Sequence, residues 1–107
     1  MTQEEREILT DAVHHYGTKT QIIKTCEELA ELQQAICKAL TTGYMTREMW
    51  NHIAEEIADV EIMLWQLKHI YQNRDAVAEW RERKIQRLYD RMEAEDVQKT
   101  RRKPSEV

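Results

Sequence analysis

A chain of 107 residues with two Gly, one Pro, no Phe and 34% charged side chains predicts one domain built from long helices rather than a sheet. Its net charge of −4 excludes a nucleic-acid duplex as the main partner, since phosphate contacts need a basic surface. It does not exclude a nucleotide, because a bound cation inverts the local charge.

The opening MTQEEREILT is acidic and lacks the basic and apolar blocks of a signal peptide. No apolar run approaches the ~18 residues of a membrane span. A cytoplasmic protein with no membrane partner is therefore expected. Thr2 followed by Glu5 has the form of a capping box, and the first helix is predicted from about residue 3 to 15, stopping before Gly17. Thr18 and Gln21 repeat the capping pattern, and the second helix runs to about Leu40, where TTGYMT breaks it. Ile22, Cys26, Leu29, Ile36 and Leu40 recur along it at helical spacing. Thr46 is the expected cap of a third helix reaching about Gln72. QNRD is the next break, with Asn73 or Asp75 as cap, and a fourth helix is expected over about 76–96. The domain is thus placed at 1–97. A basic tail over 98–107, including KTRRKPSEV, has no periodicity and is expected to be disordered.

Cys26 and Cys37 fall in one helix at a rise of about 1.5 Å per residue, ~16 Å apart and beyond bridging distance. Reduced, buried thiols are expected, and neither a CxxC nor a Cys/His zinc pattern is present. The third helix is apolar on more than one side. Ile53, Ile57, Val60, Leu64, Leu67 and Tyr71 form one face, while Ile62 and Trp65 lie nearly opposite. A helix apolar on several sides needs covering on several sides. The expected fold is an all-α bundle of about four helices, completed by homo-oligomerisation. No solenoid repeat is present.

Two segments share a layout: Glu27-Glu28-x-x-Glu31 in EELAELQQAICKAL, and Glu55-Glu56-x-x-Asp59 in EEIADVEIMLWQL. Residues three apart on a helix are neighbours one turn along. Glu28 with Glu31, and Glu56 with Asp59, therefore make carboxylate pairs, and a short connection makes their helices antiparallel neighbours. Four carboxylates facing one groove repel one another, and without a cation some hold protons. Mg²⁺ takes oxygen ligands, keeps several waters and accepts phosphate oxygens as further ligands. One such water is a candidate nucleophile, with Glu27 or Glu55 as base. A di-iron bundle site needs Glu-x-x-His, and here the third residue after Glu28 is Glu31 and after Glu56 is Asp59. Either acid pair alone is ordinary on a solvated helix face; it is the tandem that carries information.

At these residues the chain resembles the MazG-like, all-α nucleoside triphosphate pyrophosphohydrolases. The family pattern is EExxE, a spacer, then ExxD, matched by EELAE at 27–31 and EIAD at 56–59. EEIADVEIMLWQL is similar to the family's third helix, and the resemblance spans roughly residues 18–92. It implies a helical homodimer or homotetramer that splits nucleoside or deoxynucleoside triphosphates to the monophosphate and pyrophosphate. Clearing non-standard nucleotides is an associated role. It implies Mg²⁺, with Mn²⁺ as a substitute, held by the catalytic acids Glu28, Glu31, Glu56 and Asp59, with Glu27 a weaker candidate. It also implies that a Lys and an Arg three apart in the last helix, here Lys84 and Arg87, neutralise the triphosphate.

The residues themselves add to this. Trp80, Lys84, Arg87 and Arg91 share a strip of the fourth helix beside Val77 and Leu88, where cations stabilise phosphate charge or pair with a nearby Glu. Gln21 and Lys24 share a strip with Glu28 and Glu31 and are candidate substrate ligands, although Lys24 also has Glu28 four residues on as an ion-pair partner. Trp50, Trp65 and Trp80 are core residues or stacking platforms for a base. The four histidines show no metal spacing. No residue singles out a base or sugar. The alternative reading is a non-catalytic helical interaction or regulatory module of the same fold; a plain scaffold is a third.

Overall fold

The computed structural model describes residues 1–102, all helical apart from the short connections. Its order is α1 (Gln3–Tyr16), α2 (Thr18–Thr42), α3 (Arg47–Tyr71) and α4 (Arg74–Arg102). Residues 1–72 form one unit, and α4 belongs to a second that begins at Asn73. Among the described residues, no helix is long and apolar enough to cross a membrane.

Side-chain capping explains two of the boundaries. The Thr2 hydroxyl accepts from the Glu5 N–H at 3.1 Å, and the Glu5 carboxylate accepts from the Thr2 N–H at 2.7 Å, which closes the capping box of α1. That backbone N–H, with help from the Thr2 hydroxyl, holds the Glu5 carboxyl below its ordinary value. Thr46 caps α3 through the Met49 N–H. Asn73 precedes α4, and its carbonyl accepts from the Val77 N–H at 3.0 Å. Asp75 instead lies in the first turn of that helix.

The expected Thr18 cap is absent. The residue before α2 is Gly17, with φ +95° and ψ +150°, and no side chain caps that end. One residue connects α1 to α2, and only glycine reaches this backbone conformation without strain. The Gly17 N–H closes α1 by donating to Val13, and its carbonyl opens α2 by accepting from Gln21. With the linker occupying the cap position, Thr18 is already the first helical residue.

A four-residue connection, 43–46, joins the two 25-residue helices α2 and α3, which pack against each other along their length as an antiparallel hairpin. α1 packs on both. The buried apolar residues are Val13, Ala35, Val60 and Met63; Gln21, Thr25, Glu28, Glu56 and Gln66 are buried beside them. The strip of α2 that faces its neighbours is thus Gln21, Thr25, Glu28 and Ala35, not the apolar series expected from sequence. Leu29, Ile36 and Leu40 are exposed, Leu40 at 76%. On α3, Val60 is buried and Ile53 and Leu67 are half-buried, but Trp50, Ile57, Leu64 and Tyr71 all lie open. Seven residues bring a helix back to within ~20° of its starting direction, so these four form a continuous stripe. On each helix the apolar stripe lies clockwise of the buried strip and Glu27, Glu31, Glu55 and Asp59 lie anticlockwise, at ~100° per residue. In an antiparallel hairpin those senses coincide, so one flank is apolar and the other acidic.

Two smaller expectations also fail. Cys26 and Cys37 are free but exposed, not buried, because they sit beside the apolar flank rather than in the packed strip. Trp50 and Trp80 are exposed rather than core residues. α4 runs to Arg102, past the break expected at about 97. Asp96 supports the extension by accepting the Thr100 hydroxyl through its backbone carbonyl, and Lys, Arg and Gln in this stretch favour helix. The remainder of the expected tail, 103–107, lies outside the described residues.

Candidate functional site

The hairpin register decides which acids meet. Gln21 Nε2 donates to Gln66 Oε1 at 2.8 Å. Seven residues on along α2 stands Glu28, and seven back along α3 stands Asp59; three further on, Glu31 faces Glu56. The spacing seen in sequence thereby becomes a cluster across the groove. Carboxylate oxygens of Glu28, Glu31 and Glu56 lie within 4.8 Å of one another. Asp59 is not in that tightest group, but it lies near enough to feel the charge of Glu28.

Glu28 and Glu56 are buried in the hairpin, while Glu31 is exposed at its edge and Asp59 is intermediate. Each buried glutamate has one oxygen facing a basic side chain and one without a partner. Glu28 Oε1 receives Lys24 Nζ at 3.1 Å, and Glu56 Oε1 lies 3.8 Å from His52 Nε2, an ion pair only while that imidazole is protonated. Glu28 Oε2 and Glu56 Oε2 are fully enclosed and have no hydrogen-bond partner. Buried carboxylate oxygens are normally satisfied, and an orphan is costly.

The mutual repulsion is visible at the edge of the cluster. Glu31 is held above its ordinary value by the charge of Glu28, then by burial, then by Glu56. Asp59 is raised first by burial, then by the charges of Glu28 and Glu55. Lys24 responds in the opposite sense: its contact with Glu28 strengthens its hold on its proton. One lysine bonded to Glu28, and 3.8 Å from Glu27, does not balance this many acids.

The donors are all carboxylate oxygens, which suit Mg²⁺, Mn²⁺ or Ca²⁺ and not a thiolate-seeking metal. Oxygens across an Mg²⁺ ion are about 4 Å apart, so the cluster's spread lies within reach of small side-chain adjustment. The residues present therefore fit a hard divalent cation, and the two orphan oxygens are what such an ion would satisfy.

Of the other residues singled out by sequence, Lys24 stands in the site as an ion-pair partner of Glu28. Gln21 lies in a buried amide pair rather than among the acids. Lys84 and Arg87 are exposed on α4. Within that helix, Val77, Trp80, Lys84, Ile85 and Leu88 line a shallow apolar groove, and Arg83 sits 5.4 Å from the Trp80 ring centre. Trp65 stacks on His69 with centroids 5.7 Å apart. Sequence reasoning missed Gln66, which is only 2% exposed. The available signal was its position seven residues after Asp59, a polar side chain on the acid-bearing face.

Comparison with protein-family models, with curated proteins and with solved structures found no match.

Proposed function

We propose that this protein is a Mg²⁺-dependent hydrolase that splits nucleoside or deoxynucleoside triphosphates to the monophosphate and pyrophosphate. The observation that carries the reading is the pair of enclosed, unpartnered oxygens of Glu28 and Glu56 within a carboxylate cluster that holds too little positive charge. The tandem acid motif and its resemblance to the MazG-like pyrophosphohydrolases select phosphate chemistry among the uses of such a cluster.

Glu28, Glu31 and Glu56 would hold the cation, with Asp59 beside them. Bound there, Mg²⁺ or Mn²⁺ supplies positive charge for phosphate oxygens and lowers the pKa of a water. Glu27 and Glu55 are exposed carboxylates flanking the cluster, and in this proposal one of them takes the proton of an attacking water. The water oxygen adds to phosphorus, the bond to the pyrophosphate oxygen breaks, and the proton passes to the carboxylate. Lys24, 3.1 Å from Glu28 Oε1, orients that carboxylate. Lys84 and Arg87, exposed on α4, are the cations that the resemblance assigns to the charge of the triphosphate.

The protein also works, in this proposal, as a homodimer or homotetramer. Supporting this is the apolar flank of the hairpin, where Leu29, Ile36, Leu40, Trp50, Ile57, Leu64 and Tyr71 are all exposed. A contiguous surface of that kind is unusual for a monomer, and a second copy of the same flank would cover it with two-fold symmetry.

The test is pyrophosphate release from a panel of nucleoside and deoxynucleoside triphosphates, with Mg²⁺ and with chelator, for the parent and Glu56→Gln. Mg²⁺-dependent release that is lost in the variant is expected. A folded parent that releases nothing from any nucleotide would instead make this a non-catalytic module with the same fold.

A further inference from the structure

A second feature of the α1–α3 unit lies beside the acid cluster. A cavity of about 470 Å³ opens among Tyr16, Gln21, Ile23, Lys24, Ile62 and Gln66, with Glu27 at its edge. Its volume falls within the range of small-ligand sites, and a mostly apolar wall with a few placed polar groups is their usual composition. We propose that this cavity is a nucleoside subsite, in which the Gln21–Gln66 amide pair reads the hydrogen-bonding edge of the base. The proposal rests on the nucleotide reading above and adds where the uncharged half of the substrate goes.

Continuity with the cluster comes first. Lys24 lines the cavity and is bonded to Glu28 at 3.1 Å, and Glu27 lines it too. A molecule with a flat, uncharged head and an anionic tail can therefore span both. The walls suit the head: Tyr16 supplies an aromatic face, and Ile23, Ile62 and Met63 supply aliphatic ones.

The amides supply specificity, and their orientation follows from one backbone group. The Leu9 carbonyl accepts only, so Gln66 turns its nitrogen toward it, at 3.4 Å. Gln66 Oε1 then faces Gln21, which must present Nε2, and does so at 2.8 Å. Gln21 is left with its carbonyl oxygen, which takes no hydrogen bond from the described residues, and with one further N–H. Both groups belong to a side chain that lines the cavity. An acceptor beside a donor, held by a buried network, matches a base edge that offers an amine or ring N–H next to a ring nitrogen or carbonyl. A site built to hydrogen-bond its ligand discriminates strongly against analogues that leave its buried groups unpaired.

The experiment uses the full chain and deoxynucleoside monophosphates of the common bases, in chelator, so that binding is read without turnover. Side-chain amide signals of Gln21 and Gln66 are followed by NMR. Saturable shifts at both, with affinities that differ among the bases by about tenfold, are expected. Ile62→Trp, at a half-exposed cavity position, should fill the space and abolish the shifts while the helical circular dichroism is unchanged. In Mg²⁺ the same variant should lose most nucleotide hydrolysis yet keep the parent rate on inorganic tripolyphosphate, which has no base. Gln21→Leu should compress the preference among bases to within about threefold. If no monophosphate shifts Gln21 or Gln66 at about 10 mM, the subsite is overturned even where hydrolysis proceeds. If the shifts appear but no nucleotide is hydrolysed, the subsite stands and the hydrolase reading falls.

Discussion

Replacing Glu56 by Gln tests the cluster without any assumption about substrate. Oxygens of Glu28 and Glu56 lie within 4.8 Å in a buried groove. At an effective dielectric of about 20, two like charges at that distance repel by roughly 3.5 kcal/mol. The introduced amide removes one charge and can donate toward Glu28. Allowing about half of the repulsion to be lost already to relaxation and water, Glu56→Gln should stabilise the metal-free protein by ~1–2 kcal/mol. A chain of this size shifts its Tm by about 4–8 °C per kcal/mol, so the variant should melt several degrees higher in chelator. In Mg²⁺ the order should reverse. A ligand at a hundred times its Kd stabilises the parent by about 2.7 kcal/mol, or roughly 11–22 °C, and Glu56→Gln should gain little. The assay is a thermal melt by circular dichroism at one protein concentration and one pH, titrated with Mg²⁺. If Glu56→Gln is the less stable protein in chelator, and Mg²⁺ leaves the parent unmoved, then Glu56 is an ordinary buried residue and the cation argument fails.

The pH dependence has a defined sign. Glu31 and Asp59 titrate above their ordinary values of 4.5 and 3.8, so the folded state binds more protons than the unfolded just above those values. Stability should fall as pH rises through the raised values and recover on acidification, measured in chelator in a His52→Gln background; Mg²⁺ should flatten the curve. Glu5 runs the other way: its lowered value gives stability present above 4.5 and lost as pH falls through its folded value. Leu64→Glu, in the exposed stripe of α3, should convert an oligomeric parent to monomer in sedimentation velocity, and a monomeric parent would remove the case for a second copy. Gly17→Ala should cost about 1–3 kcal/mol by denaturant melt, since its backbone lies where only glycine is unstrained. Gly43→Asn should cost less than about 1 kcal/mol, because φ +74° and ψ +4° is left-handed helical backbone that Asn adopts. A Cβ meets nothing within 4 Å at either site, so no clash of the first side-chain atom enters either cost.

The sequence by itself determined the four helices, their breaks and the tandem acids. These are local matters: capping boxes, left-handed glycines and periodicity act within a turn or two of chain. It was read correctly at Thr2, Thr46 and the TTGYMT break. It failed at Thr18, where a one-residue linker occupies the cap, and at 97, where nothing local stops α4. Tertiary structure alone decided which side of each helix is covered. Apolar periodicity marks Leu29, Ile36 and Leu40 as a face seeking cover, but within this chain α2 turns Gln21, Thr25, Glu28 and Ala35 inward. The hairpin register then decided that Glu28, Glu31 and Glu56 converge, that two of their oxygens are enclosed without partners, and that Gln66 reaches Gln21. Those facts depend on contacts between residues far apart in the chain, which helical spacing cannot encode because it describes each helix only against itself.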